Sequence, residues 1–136
     1  MVAYRNSALD QYHSSHVDAA VSEASPHRQI AMLFEGALRK INSAGHHLRE
    51  QRLPHKAREL ADAVKIVEGL RMSLDAQRGG ELAQRLEELY DYVCRRLTQA
   101  NSTNDPVMLD ECAALLRQIK EGWDAIADPT AAGQVQ

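Results

Sequence analysis

The sequence has few large aromatic side chains, few cysteines, and no long run of either apolar or basic residues. Its 136 residues include one Phe, one Trp and four Tyr, against 20 Ala and 15 Leu. Ala and Leu are strong helix formers, whereas strands are enriched in aromatic and β-branched residues. The length is that of one domain. We therefore expect a single all-α domain.

The near balance of charge and the absence of long apolar runs limit the partners. There are 16 basic and 19 acidic residues, a formal charge of −3, and no run of Lys or Arg is longer than a pair such as Arg95 and Arg96. We expect no nucleic-acid partner. No apolar run approaches the roughly 20 residues that cross a bilayer, and residues 1–15 lack the apolar region of a signal peptide. These features predict a cytoplasmic protein without membrane insertion.

The cysteines and histidines form no metal-binding or catalytic pattern. Cys94 and Cys112 do not make a C-x-x-C pair, and we expect reduced thiols. His13 and His16 are spaced as a possible pair but have no third ligand nearby. No Ser, Cys or carboxylate pair has an orienting base at helical spacing. We expect no catalytic residue, no cofactor, no metal and hence no enzyme.

Four amphipathic helices are predicted from apolar periodicity and from proline and glycine. Ser25 and Asp105 each precede a Pro, which is typical of a helix start. Pro54 begins the second helix, and the pair Gly79-Gly80 separates the second from the third. The predicted helices span residues 26–52, 55–78, 81–101 and 106–127. Apolar residues at steps of three and four predict one buried stripe on the first helix and another on the fourth. The first stripe consists of Ile30, Phe34, Ala37, Ile41, Ala44 and Leu48, and the second of Leu109, Cys112, Leu116, Ile119, Trp123 and Ile126.

Short turns between such helices predict an antiparallel, up-down-up-down four-helix bundle. We assign residues 25–128 to this bundle. Residues 1–24 have no strong period, and we expect an N-terminal cap segment that is extended or contains a short helix. Residues 129–136 are small and polar and are predicted to be a disordered tail.

The third helix carries more apolar surface than one core stripe requires. The stripe predicted to face the core consists of Leu82, Leu86, Leu89, Val93 and Leu97. Tyr90, Tyr92 and Cys94 lie beside this stripe. Tyr90 and Tyr92 are two residues apart and cannot both point inward, so one could be core and the other a lone surface aromatic. Periodicity alone leaves open whether the extra surface binds a partner.

A second functional class has to be weighed at the end of the first helix. His46, Leu48 and Arg49 resemble the phosphorylated helix of histidine phosphotransfer domains, which are also four-helix bundles. In that pattern a Gly follows the basic residue, whereas Glu50 here adds bulk and negative charge. A histidine phosphotransfer domain is therefore the alternative interpretation.

Four stretches resemble the FliS family of flagellar export chaperones. Residues 24–38, ASPHRQIAMLFEGAL, resemble the start of that family's first helix, and residues 79–83 and 86–101, GGELA and LEELYDYVCRRLTQAN, resemble its third. Residues 115–126, from LLR to GWDAI, resemble its last helix. The similarity covers about residues 9–127 in the right order. At Cys94 many relatives carry a larger aliphatic residue.

The resemblance implies a cytosolic type III export chaperone. Such a protein binds the disordered C-terminal segment of flagellin, prevents its premature polymerisation and delivers it to the flagellar export gate. The implied partners are flagellin and a component of that gate. A weak homodimer without client is a further candidate assembly.

The predicted protein-binding residues lie in the N-terminal segment and on the second and third helices. Leu9 and Tyr12 match a family pair that contributes to export-gate docking, within a segment that can cover the groove when the client is absent. In the bundle we expect client contacts at Ile66, Leu70, Leu74, Leu89, Tyr90 and Tyr92.

Overall fold

The chain forms four helices in a computed structural model, which describes residues 24–126 apart from the side chains at 76 and 77. The helices are α1 (Pro26–Arg49), α2 (Leu53–Met72), α3 (Ala76–Thr103) and α4 (Pro106–Ala125). No strand occurs between residues 24 and 126, so the prediction of an all-α bundle is confirmed. The predicted tail lies outside the described residues, as does the predicted cap segment apart from its last residue.

Two helices begin where their Xaa-Pro pairs predict. The Ser25 hydroxyl accepts a hydrogen bond from the backbone N–H of Arg28 at 3.1 Å. At the start of α4 the Asp105 carboxylate accepts from the backbone N–H of Val107 at 2.9 Å. Each cap satisfies one of the N–H groups that have no partner within the first helical turn.

The second helix ends earlier than predicted. α2 stops at Met72, where the Ser73 hydroxyl donates to the carbonyl of Leu70 at 2.7 Å. Asp75 then caps a new helix by accepting from the backbone N–H three residues further on, at 3.1 Å. Leu74 consequently lies in the turn between α2 and α3 rather than on α2.

The two glycines predicted to separate helices instead make a kink near the start of α3. Gly80 has φ 54° and ψ −125°, a conformation that a residue with a Cβ rarely adopts. A Cβ added at Gly79 would lie 2.5 Å from the Cβ of Ala83. Both positions therefore require glycine for this backbone path.

Each helix packs mainly against two others, α1 and α3 each against α2 and α4. Between α2 and α3, Lys56 near the start of α2 donates to the carbonyl of Asn101 near the end of α3, at 2.8 Å. Arg71 near the end of α2 lies 3.5 Å from Glu87 in the first half of α3. The two helices therefore run in opposite directions.

All four helices contribute to one apolar core. Fully burying a large aliphatic or aromatic side chain stabilises a fold by about 1.5–3 kcal/mol. The predicted stripes of the first and fourth helices supply several of these side chains. The largest fully buried ones are Phe34, Ile41, Leu60, Leu70, Leu97, Leu116, Val67, Val93 and Cys112.

The predicted core stripe of the third helix is wrong at two positions. Leu82 and Leu89 are 60% and 36% exposed, whereas Tyr90 and Cys94 belong to the core. The Tyr90 ring packs 6.3 Å from the ring of Phe34, between centroids. Compared with the predicted orientation, α3 is rotated about its axis so that Tyr90 faces α1.

The start of α1 and the end of α4 are joined by a reciprocal contact. The Trp123 indole N–H donates to the carbonyl of His27 at 2.9 Å, and Nε2 of His27 donates to the carbonyl of Trp123 at 3.0 Å. The rings stack with centroids 4.7 Å apart. The hydrogen bond from His27 requires the imidazole proton to be on Nε2, because the Trp123 carbonyl oxygen can only accept.

The turn between α1 and α2 contains a contact that depends on protonation. Nε of Arg52 donates to Nδ1 of His47 at 3.1 Å, so this nitrogen must be unprotonated. The His55 ring lies 5.1 Å from the His47 ring. Desolvation, with smaller contributions from the Arg52 charge and from His55 and His46, lowers the pKa of His47, while Glu59 acts in the opposite sense. The folded state therefore favours neutral His47.

We predict that stability falls as the pH drops from 7 to 5, and that His47 contributes to this fall. The unfolded chain takes up a proton near the ordinary pKa of 6.5, whereas folded His47 takes it up only at lower pH. Protonation therefore stabilises the unfolded state first. Urea unfolding at both pH values should show a smaller loss for His47→Gln than for the wild type. The control is the exposed neighbour His46, which makes the smallest contribution to the lowered pKa of His47, so His46→Gln should keep nearly all of the wild-type loss. Equal losses in all three proteins would contradict the prediction.

Candidate protein-binding groove

Exposed apolar side chains lie along one side of α3. Leu82 and Leu89 are separated by seven residues, which is two helical turns, and so share a face. Tyr92 follows Leu89 by three residues and is half-buried. This side of α3 thus presents apolar surface over about 15 Å from Leu82 to Tyr92, or three turns, at 1.5 Å per residue.

Hydrogen bonds to Glu111 show that this side of α3 faces α4. The Tyr92 hydroxyl donates to Oε2 of Glu111 at 2.6 Å. Nε of Arg96 donates to Oε1 of the same carboxylate at 2.9 Å. Since Leu89 lies one turn before Tyr92, it is on the same side of α3.

The facing side of α4 is also apolar. Leu115 and Ile119 follow Glu111 by four and eight residues and are half-buried against the core. Further along, a Cβ at Gly122 would meet no atom within 4 Å, and Ile126 is 51% exposed. The apolar sides of α3 and α4 together form one surface, the α3–α4 groove. It consists of Leu82, Leu86, Leu89, Tyr92, Leu115, Ile119, Gly122 and Ile126.

A polar cluster of Tyr92, Glu111 and Arg96 lies at one end of this groove. Hydrogen bonds from Tyr92 and Arg96 lower the pKa of Glu111, and the bond to Glu111 is the main cause that raises the pKa of Tyr92. The guanidinium carbon of Arg96 lies 5.8 Å from the Tyr92 ring centroid. The cluster therefore holds an ionised carboxylate and a neutral phenol at neutral pH.

Three of the predicted contact residues belong to the core. Ile66, Leu70 and Tyr90 are only 1–3% exposed, and burial raises the pKa of the Tyr90 phenol. Their side chains therefore offer almost no surface to a partner. Of the two tyrosines that periodicity left open, Tyr90 is the core residue.

The remaining predicted residues are not all brought together. Leu89 and Tyr92 both lie in the α3–α4 groove. Leu74 is half-buried in the turn between α2 and α3. Leu9 and Tyr12 lie outside the described residues.

The α4 side of the groove was missed because its residues were assigned to a core stripe or left unassigned. One signal was available in the pair Leu115 and Leu116. Adjacent residues on a helix point about 100° apart, so the two leucines cannot occupy the same seam. Leu116 is fully buried and Leu115 is only half-buried.

The other candidate chemistries find little support in the described part of the chain. Cys94 and Cys112 are free and buried, and burial raises their pKa values to about 12 and about 11, which makes them poor nucleophiles at neutral pH. No group of three or more side chains there could hold a metal ion. No helix there is long and apolar enough to cross a bilayer.

Known proteins resemble this chain over the whole bundle. The profile of the family described as flagellar protein FliS matches residues 8–130. The chain is 42% identical over 124 residues to the flagellar secretion chaperone FliSB of Pseudomonas aeruginosa, covering 91% of this chain and 98% of that protein. It is 41% identical over 125 residues to the flagellar secretion chaperone FliS of Salmonella typhimurium, covering 91% and 93%. The corresponding protein of Vibrio cholerae is 37% identical over 119 residues, covering 88% of each chain.

We predict that truncation distinguishes the groove from the core. Leu82→Ala should change the free energy of unfolding by no more than about 0.5 kcal/mol, because an exposed side chain loses few contacts. Leu70→Ala should cost about 2–5 kcal/mol, because it leaves a cavity in the core. Urea unfolding followed by circular dichroism measures both. Similar losses for the two variants would mean that Leu82 packs as a core residue.

Proposed function

Because the chain belongs to the FliS family of flagellar secretion chaperones, we propose that it binds the disordered C-terminal segment of flagellin in its α3–α4 groove. The observation that carries the proposal is the exposure of Leu82 and Leu89 beside the half-buried Leu115 and Ile119. Family membership favours this function over phosphotransfer at His46.

An amphipathic helix of the client fits such a groove. Apolar residues at intervals of three and four would lie against Leu82, Leu89 and Ile119, so that both partners bury surface that water otherwise covers. A disordered client loses conformational entropy when it becomes ordered, and this cost lowers the affinity that a given contact area provides. A longer client segment that extends beyond the groove would offset more of the cost.

The same binding would keep flagellin from polymerising before export. A client segment held on the chaperone is not free to pair with other flagellin molecules. The complex would then be delivered to a component of the flagellar export gate in the cytoplasm. The chaperone contributes no catalytic step in this scheme.

We predict that a charge in the groove abolishes binding without unfolding the bundle. Leu82→Asp places a carboxylate where the client's apolar face would dock, and burying an unpaired charge is costly. Isothermal titration calorimetry with a peptide of the cognate flagellin C-terminus should show no binding, while helicity stays at the wild-type level.

The matched control is Val107→Asp. Val107 is 71% exposed, similar to Leu82, but lies in the first turn of α4 before Glu111 and outside the groove. The Val107→Asp variant should bind the peptide with wild-type affinity. Equal binding by Leu82→Asp and Val107→Asp would refute the groove as the client site.

The N-terminal segment is proposed to cover the groove when no client is bound. Leu9 and Tyr12 are three residues apart in the sequence, so one helical turn would place both side chains on the same surface. An intramolecular cover would hide an apolar surface that otherwise favours aggregation, and a longer client could displace it. The same pair is proposed to contribute to docking at the export gate.

We predict that deleting residues 1–14 strengthens or accelerates binding of the flagellin peptide. The deletion removes a competitor for the groove, so the free chaperone should also self-associate more. Stopped-flow fluorescence measures the association rate, and analytical ultracentrifugation measures the assembly state. Unchanged values in both measurements would show that the segment is not a cover.

A further inference from the structure

We infer that Glu111 is a positioning residue for client binding, because it holds the Tyr92 ring as the end wall of the α3–α4 groove. The inference rests on the proposed function and adds to it a fixed register for the client. Glu111 itself would not need to touch the client. Its role would be to keep Tyr92 in place.

The geometry leaves Tyr92 little freedom. One oxygen of the Glu111 carboxylate accepts from the Tyr92 hydroxyl, and the other accepts from Arg96. Arg96 is held in turn by a hydrogen bond to Gln99 at 3.4 Å. The polar end of Tyr92 is thus satisfied on the protein, which leaves its ring to contact an apolar client.

The two ends of the α3–α4 groove differ in their contacts between the helices, since, among the described residues, polar bonds join α3 to α4 at one end only. At one end, Glu111 on α4 accepts hydrogen bonds from Tyr92 and Arg96 on α3 and forms an ion pair with Arg96. Beside it, the buried thiol of Cys112 donates to the carbonyl of Val93 at 3.9 Å. At the other end Leu82 and Ile126 are exposed, and the position of a Cβ at Gly122 is open space. A client helix would therefore extend freely past Leu82 but stop at Tyr92.

Loss of the Glu111 carboxylate would allow the Tyr92 side chain to move away from the end of the α3–α4 groove. The Tyr92 hydroxyl and the Arg96 guanidinium would turn to water for partners, because unsatisfied polar groups are costly when buried. With Tyr92 displaced, the groove would continue toward Met108, and a client helix could shift along it by one turn. The cluster is partly exposed, and exposed ion pairs contribute little to stability, so the effect should fall on binding rather than on folding.

The test compares Glu111→Ala, Glu111→Gln and the control Glu121→Ala with the wild type. Each protein is titrated with the cognate flagellin C-terminal peptide, and hydrogen exchange of the bound peptide is measured by mass spectrometry. Glu111→Ala should bind about tenfold more weakly, the loss expected for one strong hydrogen bond. In the peptide bound to Glu111→Ala, protection from hydrogen exchange should extend beyond the segment that is protected in the wild-type complex. Glu121 is exposed on α4 and outside the cluster, so its variant should behave as the wild type does.

The conservative variant separates positioning from a structural role. The Gln amide oxygen can still accept from Tyr92, so Glu111→Gln should restore the wild-type protection pattern. Tyr92→Phe keeps the ring but removes the hydroxyl, so it should reproduce the Glu111→Ala pattern even if Glu111→Ala fails to fold. Wild-type affinity and protection in both Glu111→Ala and Tyr92→Phe would overturn the inference. Absence of any binding by the wild type would instead refute the proposed function, and the inference with it.

Discussion

Packing of Tyr90 against Phe34 determines the rotation of α3, and the exposed surface of the bundle follows from that rotation. α3 carries apolar residues around more than half of its circumference, so it cannot bury all of them. With Tyr90 and Cys94 turned toward the core, Leu82 and Leu89 must face the edge shared with α4. The core thus buries only one apolar side of α3, and the other side remains exposed and could contact a partner.

Polar contacts between helices hold this arrangement around the bundle, including the ion pairs of Lys40 on α1 with Glu59 and Asp62 on α2. His27 and Trp123 join α1 to α4, and the buried Lys56 joins the start of α2 to the end of α3. Glu111 joins α3 to α4 through Tyr92. Such bonds are individually modest in net free energy but demand a particular alignment, because a buried polar group without a partner is costly. They therefore favour one alignment of the four helices.

A chaperone with an open apolar groove has to reconcile solubility with binding. The exposed apolar surface of the groove is limited, since Leu115 and Ile119 are already half-buried against the core and mainly Leu82, Leu89 and Ile126 are exposed. The charge of −3 at neutral pH disfavours association of copies only weakly. A surface of this kind can remain soluble and still gain enough apolar contact to order a client helix.

The sequence by itself determined the helical class, the starts at Pro26 and Pro106 and the core stripe of α1, because these depend on local caps and on a strong 3.6-residue period. It also indicated the family through long ordered similarity. Only the tertiary structure decided that Tyr90 is core and Leu89 surface. Neighbouring apolar positions on a helix differ by a rotation of about 100°, and the choice between them depends on which side chains the adjoining helices offer. The α3–α4 groove consists of apolar positions that the core does not bury, and its location is therefore decided by packing.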